Sequence, residues 1–216
     1  MRHELAQKLL DTARQVQRMG LVRGTSGNVS VRHRTAMLIT PSGIPYETMG
    51  LSDVVELDLS GKPRAGRRTP SSEWRLHTSI YQARPDVGAI VHTHSIFATT
   101  FSILRQSIPA VHYMIALTGS DAVHCAAYAT YGSAELASAC ILTLGATGAC
   151  LLANHGLVAV GPDLAAALRV ASEIETLAEL AWRAMQIGKP VVLDSEEIKA
   201  VGDRFESTGY GSRRLR

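Results

Sequence analysis

The chain has 216 residues, of which 46% are apolar and 19% charged, and its formal net charge is +3. At this length about 70% of the unfolded surface can be buried, so residues 1–216 are expected to form one domain around one substantial core. No apolar run of about 20 residues is present and the charge is small, which argues against a membrane span and a nucleic-acid partner.

The opening residues, Met1-Arg2-His3-Glu4, lack the basic and then apolar pattern of a secretory signal. Residues 4–19 place Leu5, Leu9, Ala13 and Val16 on one helical face. Arg23 to Asn28, rich in glycine and hydroxyls, is expected to form a tight loop. Short strands follow at 29–31 and 37–40, then a turn at Pro41-Ser42-Gly43 and an alternating strand over 54–59. Residues 60–70, with Arg64, Arg67 and Arg68, show no periodicity and are expected to be an exposed loop. Ser71 or Ser72 can cap a helix running to Ala83, with Glu73 in its first turn.

Val87 to Val91 enters a sheet ahead of His92, residues 96–104 are helical, and 108–115 form an apolar stretch carrying His112 and Tyr113. A short helix is expected over 133–144. Strands at 150–153 and 157–160 flank the turn Asn154-His155-Gly156. Asp163 caps a long helix to Ile187, whose buried stripe is Leu164, Leu168, Ala171, Ile174, Ala178, Ala181 and Met185. Short strands interleaved with helices, without regular βαβ repetition, predict a layered α/β domain with a mainly antiparallel or mixed sheet. Cys125, Cys140 and Cys150 are odd in number and irregularly spaced. They suit a reducing, cytoplasmic setting rather than a disulfide framework, with Cys140 and Cys150 as small buried hydrophobes.

The chemistry concentrates in histidine. His92 and His94 leave a strand as an HxH pair, and alternation puts them on one side of it. His155 leaves a second apolar strand far downstream. Three imidazoles with an open fourth position fit a catalytic zinc site better than a closed structural one. Glu73 can serve as a fourth ligand or as a general base, and equally as a residue complementing a helix dipole. His77, one turn on, lacks an HExxH context and is assigned to structure. His112 and His124 are weaker candidates, and His3 and His33 are expected to be exposed. The glycine and hydroxyl clusters around residues 24–28, 42–43 and 71–72 can cradle a phosphate, the last at a helix N-terminus. No GxxxxGK[ST] or strand-linked GxGxxG sequence is present, which disfavours ATP and dinucleotides.

Several segments together resemble the class II aldolase/adducin family: Gly24-Thr25-Ser26-Gly27-Asn28-Val29-Ser30, Leu38 to Tyr46, Pro70-Ser71-Ser72-Glu73-Trp74-Arg75, Val91-His92-Thr93-His94, Ile108 to Ile115 and Asn154-His155-Gly156-Leu157. The similarity runs in order along nearly the whole chain. It implies a three-layer α/β/α fold around a mainly antiparallel sheet. It also implies one Zn²⁺ on His92, His94 and His155, and a substrate phosphate held by Asn28, Ser42, Gly43, Ser71 and Ser72. Glu73 would be the acid/base, with Tyr113 and a tyrosine of the 203–216 tail, Tyr210, assisting. The implied reaction is reversible cleavage of a ketose 1-phosphate, such as L-fuculose 1-phosphate or a related deoxyketose 1-phosphate, to dihydroxyacetone phosphate and an aldehyde. Homotetramers with sites at subunit boundaries are implied as well. Other branches of the family stay open: a pentulose-phosphate 4-epimerase, a methylthioribulose-phosphate dehydratase, and a non-catalytic interaction module. The epimerases' catalytic aspartate would fall at Ala122, and Asp121 lies one position away.

Overall fold

The structure, a computed structural model, describes residues 2–210; Arg213, Arg214 and Arg216, and the end of the expected tail, lie outside the described residues. Strand alternation decides the architecture. In β1 (Asn28–His33), β2 (Ala36–Ile39), β3 (Val55–Asp58) and β4 (Pro63–Ala65), neighbouring residues face opposite sides of one sheet. The same sheet takes up β5 (Ala89–Thr93), β8 (Cys125–Ala126), β9 (Ala149–Leu152) and β10 (Gly156–Gly161), while β6 (Ile108–Pro109) and β7 (Ala122–Val123) pair separately. The strand order is β4-β3-β2-β1-β5-β10-β9-β8, antiparallel throughout except for the parallel β8–β9 pair at one edge.

Because β5 and β10 are central, both faces must be apolar, and both are. Val29, Val31, Leu38, Val91, Leu151, Leu157 and Ala159 join a core shared with α1 (Arg2–Arg18), α3 (Ile96–Leu104), α5 (Leu164–Ile187) and α6 (Ser195–Thr208). Met37, Ile39, Ile90, Cys150, Val158 and Val160 face a second core shared with α2 (Trp74–Ala83) and α4 (Ala134–Leu144). The result is a three-layer α/β/α arrangement with a mixed, mainly antiparallel sheet. Cys140 and Cys150 are buried free thiols within the second core.

Several expectations need correction. The loop expected at 60–70 contains β4, where Pro63 sits on an edge strand that does not require its missing N–H. The cap of α2 is Glu73 itself rather than Ser71 or Ser72, and the Glu73 side chain makes no capping bond. Met185 is 42% exposed, since the last turns of α5 run past the core that buries Ala178 and Ala181. His33 is half-buried against Glu56, 3.1 Å away. α6 was not anticipated; Asp194 caps it by accepting from Glu197 N, and Ile198, Gly202 and Phe205 form its buried face.

Candidate metal centre and substrate cavity

β5 and β10 bring the histidines together. His92 is paired with Val158 across the β5–β10 ladder and with Asn28 across the β5–β1 ladder, so it sits at the middle of three strands. Its side chain faces the α2 layer, as residue parity requires: Ile90 two residues earlier belongs to that core and Val91 to the other. His94 follows on the same side, and His155 arrives from the β9–β10 turn. The Nε2 atom of His92 lies 3.1 Å from that of His94 and 3.2 Å from that of His155. The three rings meet edge to face, with centroids 4.8–5.0 Å apart. His92 Nδ1 donates to the Leu157 carbonyl at 2.9 Å, which leaves Nε2 of the neutral ring as a bare lone pair aimed at the cluster.

Glu73 closes the group. Its Oε2 lies 3.1 Å from His92 Nε2, and its Oε1 3.3 Å from His155 Nε2. Asn28 Nδ2 donates to Oε2 at 3.0 Å, whereas no hydrogen-bond donor is aligned on the buried Oε1. Burial alone would raise the Glu73 carboxyl; the charge and hydrogen bond of His92, then His155 and Asn28, outweigh it and hold the group well below the usual carboxylate range. Burial would lower His92, but Glu73 raises it. His94 and His155 are pushed down to about 4, by burial first and then by the charge on His92. The cluster thus stabilises one positive charge at its centre while keeping two imidazoles neutral.

That is what a metal site requires. Four donor atoms, from Glu73, His92, His94 and His155, lie within 4.8 Å of one another. With all three rings neutral, as ligands must be, three nitrogen lone pairs and a carboxylate oxygen without an aligned donor meet in a largely buried place. They repel one another unless a cation, either a proton on His92 or a metal ion, joins them. The donor set fits a divalent cation.

Backbone devices fix the geometry. Gly27 has φ +78°, and a Cβ there would meet Val22 Cγ1 at 2.5 Å and the His92 carbonyl at 2.7 Å. At Gly156 a Cβ would lie 2.2 Å from the Thr93 carbonyl and 3.1 Å from His94 Cδ2. Glycine at both positions lets the flanking chains close onto the histidine-bearing strand. α3 links the two ligand segments. Its N-terminus, just after His94, gives the N–H groups of Phe97 and Ala98 to the Glu175 carboxylate at 2.8 and 2.9 Å. At its other end Arg105 and Asn154 both adopt positive φ, and Arg105 Nε donates to Asn154 Oδ1 at 3.1 Å, steadying the turn that presents His155.

The cluster opens into a cavity of about 300 Å³, within the range of small-molecule sites. Asn28, Ser42, Gly43, Ser71 and Ser72, the residues expected to hold a phosphate, all line it, with Thr25 and Ser26 beside them. Two backbone bonds clasp these loops, Ser42 N to the Thr69 carbonyl and Ser71 N to the Thr40 carbonyl. Among the described residues the lining holds no lysine or arginine, so an anion there would rely on hydroxyls, backbone N–H groups and the N-terminus of α2. The Asn28 amide is anchored at both ends, on Glu73 and on His77, and retains a second N–H. Tyr113 and Tyr210 do not line this cavity. Tyr113 stacks on His112 and is 46% exposed, and both tyrosines flank Phe205 on another part of the surface. Tyr128 and Tyr131, exposed at the rim, do line it. The sequence offered no signal for them, since they lie in an aperiodic, uncharged stretch outside every segment that carried the site's chemistry.

The comparisons agree with this geometry. Residues 7–182 match the family described as the class II aldolase and adducin N-terminal domain. The chain is 47% identical over 209 residues to L-fuculose phosphate aldolase of Escherichia coli, covering 96% of this chain and 97% of the relative. It is 46% identical over 201 residues to a 5-methylthioribulose-1-phosphate/5-deoxyribulose-1-phosphate aldolase of Rhodospirillum rubrum, covering 93% and 90% of the two chains. A solved L-fuculose 1-phosphate aldolase superposes with a TM-score of 0.91 at 40% identity, covering 94% of this chain and 96% of that one. Four ligating groups on this fold, and this degree of likeness, are those of a metal-dependent aldolase, a carbon–carbon lyase. The chain belongs to the class II aldolase/adducin family.

Proposed function

We propose that the chain catalyses the reversible, zinc-dependent aldol cleavage of a ketose 1-phosphate with a deoxygenated far end, giving dihydroxyacetone phosphate and a short aldehyde. The observation that carries this reading is the juxtaposition of a three-histidine, one-carboxylate cluster with a hydroxyl-rich anion cradle in one cavity. The substrates named for the relatives, L-fuculose phosphate on one side and 5-methylthioribulose and 5-deoxyribulose 1-phosphates on the other, share the 1-phosphate and the cleaved ketol unit. They differ in the aldehyde released.

His92, His94 and His155 would hold the zinc, which when bound supplies Lewis acidity toward the carbonyl and neighbouring hydroxyl oxygens of the ketose. Ser42, Gly43, Ser71, Ser72 and Asn28 would fix the phosphate, so that remote binding energy aligns the reacting carbons. Glu73 would move the proton at carbon 3: it delivers one there after the C3–C4 bond breaks, and removes it in the synthetic direction. The proton lost from the O4 hydroxyl needs another acceptor. Tyr113 and Tyr210 of a neighbouring copy in a homotetramer, both outside the cavity of their own chain, are assigned to relay it, a phenol oxygen taking the O4 proton as its own hydroxyl proton passes on to water. An epimerase would need its carboxylate at Ala122, and the adjacent Asp121 is engaged by a hydrogen bond from Ser195, which weighs against the epimerase.

The test is a product assay on zinc-loaded protein with L-fuculose, 5-deoxyribulose, ribulose and rhamnulose 1-phosphates, following dihydroxyacetone phosphate. Release from at least one deoxyketose phosphate is the expected result. Loss of water from a methylthio-pentulose phosphate without carbon–carbon cleavage, or interconversion of pentulose 5-phosphates, would replace the aldolase with a sister activity.

A further inference from the structure

Behind Glu73 runs a buried hydrogen-bonded chain that the proposed reaction does not yet use. The cap residue Glu73 and the α2 residues His77 and Tyr81 recur every fourth position and so share one face. Opposite them, Asn28 and Ser30 of β1 recur every second position and share a face of the sheet. Four helical residues rise about 6 Å and two strand residues about 6.6 Å, so the two rows can interdigitate. They do. Asn28 bonds Glu73 at 3.0 Å and His77 Nε2 at 2.5 Å; Ser30 Oγ bonds His77 Nδ1 at 2.6 Å and the Tyr81 hydroxyl at 2.8 Å. All five side chains are buried, Ser30 and His77 completely.

Donor and acceptor inventory gives this chain a single direction. An ionised carboxylate only accepts, so Asn28 must turn its nitrogen to Glu73 and its oxygen to His77. That oxygen needs a donor, so His77 carries its proton on Nε2 and its Nδ1 accepts. Ser30 therefore donates to His77 and accepts from Tyr81. Burial, then the charge on His92, pushes His77 down to about 3, in keeping with a neutral ring. Burial raises the Tyr81 hydroxyl, which keeps its proton to give.

We propose that His77, backed by Ser30 and Tyr81, is a positioning residue. It locks the Asn28 amide so that a donor always faces Glu73, thereby fixing the carboxylate's orientation for proton transfer. The consequence for turnover rests on the aldolase reading; the direction of the chain does not.

Two measurements test it. In protein with ¹⁵N-labelled imidazoles, the His77 signals, identified by their loss in His77→Gln, should show a proton-bearing Nε2 and a bare Nδ1 at neutral pH. A proton on Nδ1 would overturn the proposal. The second follows solvent deuterium entering dihydroxyacetone phosphate. In this half-reaction a carbon-bound proton passes to the Glu73 carboxylate, the electron pair stays in the enediolate, and a deuteron returns to carbon. His77→Leu should slow this exchange about 10- to 100-fold with little change in KM, as loss of a supporting hydrogen bond does at comparable sites. His77→Gln, which keeps a donor toward Asn28, should recover most of that loss. Equal slowing in both variants, or wild-type exchange in a folded His77→Leu protein, would overturn the proposal. Should His77→Leu fail to fold, Tyr81→Phe replaces it: a several-fold loss of kcat with unchanged KM is expected, and no loss overturns the chain. A wild-type protein that neither exchanges this substrate nor cleaves ketose phosphates would sink the aldolase reading instead, and the tautomer would then decide the chain alone.

Discussion

Two glutamate–histidine groups in this molecule begin from the same contact and end differently. Glu56 meets His33 at 3.1 Å, and Glu73 meets His92 at 3.1 Å. Around Glu56 every oxygen is matched: Arg2 takes Oε2 at 2.7 Å and His33 takes Oε1. Around Glu73 one oxygen lacks an aligned donor, and three imidazole nitrogens converge on the same point. The first group is a closed ion pair near an edge of the sheet. The second has more acceptors than donors and is completed only by a cation. A surplus of lone pairs, rather than the presence of histidine beside glutamate, is what distinguishes a ligand site from a salt bridge.

Substitutions can break that contrast at either end. The largest effect is expected from His92→Ala, which removes the central imidazole: zinc retained after dialysis, measured by elemental analysis, should fall from about one per chain toward zero, and turnover should vanish with it. Glu73→Gln should retain zinc but lower kcat about 10²- to 10⁴-fold, the usual contribution of a positioned acid/base; wild-type-like turnover would remove Glu73 from that role. Ser72→Ala, in the cradle, should raise KM for the ketose phosphate about 10-fold and leave kcat nearly unchanged, as loss of one hydrogen bond to a charged group would.

The smallest effect belongs to the closed pair. Burial would raise the Glu56 carboxyl, but Arg2 and His33 outweigh it and lower its pKa. A depressed folded pKa stabilises the fold above the unfolded value and loses that contribution as pH falls through the folded one. Glu56→Gln should therefore cost about 1 kcal/mol at pH 7, given that Arg2 is partly exposed. A melting point lower by about 2–4 °C would report it, and the gap should close at acid pH. Zinc content should not change. A gap that widened on acidification would contradict the sign.

Much of the site was legible because its chemistry coincides with strand ends. His92, His94 and His155 each leave an apolar run, and period-two alternation alone puts the first two on one side. The stripe of α5 was legible as far as Ala181 from its helical spacing, and failed at Met185 because periodicity continues after the core has ended. His33 deceived in the opposite direction: nothing near it in sequence announces Glu56, a partner on another strand. Glu73 was legible as a candidate fourth ligand but was expected inside the first turn of the helix; it stands one step earlier, as the cap residue, with its carboxylate turned to the imidazoles instead of making a capping bond. The Asn28–His77–Ser30–Tyr81 row stayed hidden because it interleaves two segments about 50 residues apart, and each residue taken singly has an ordinary structural explanation. Tyr113 and Tyr210 came from resemblance rather than pattern, and the single chain leaves both away from the cavity.

Gly27 and Gly156 carry a burden that a survey of ligand contacts would overlook. Neither offers an atom to a cation or a sugar, yet one added methyl at either would collide with the backbone that carries the imidazoles. The tolerance of this centre to mutation is thus set partly by two places where a side chain is missing. Alanine at either should scatter the donors while every donor remains present.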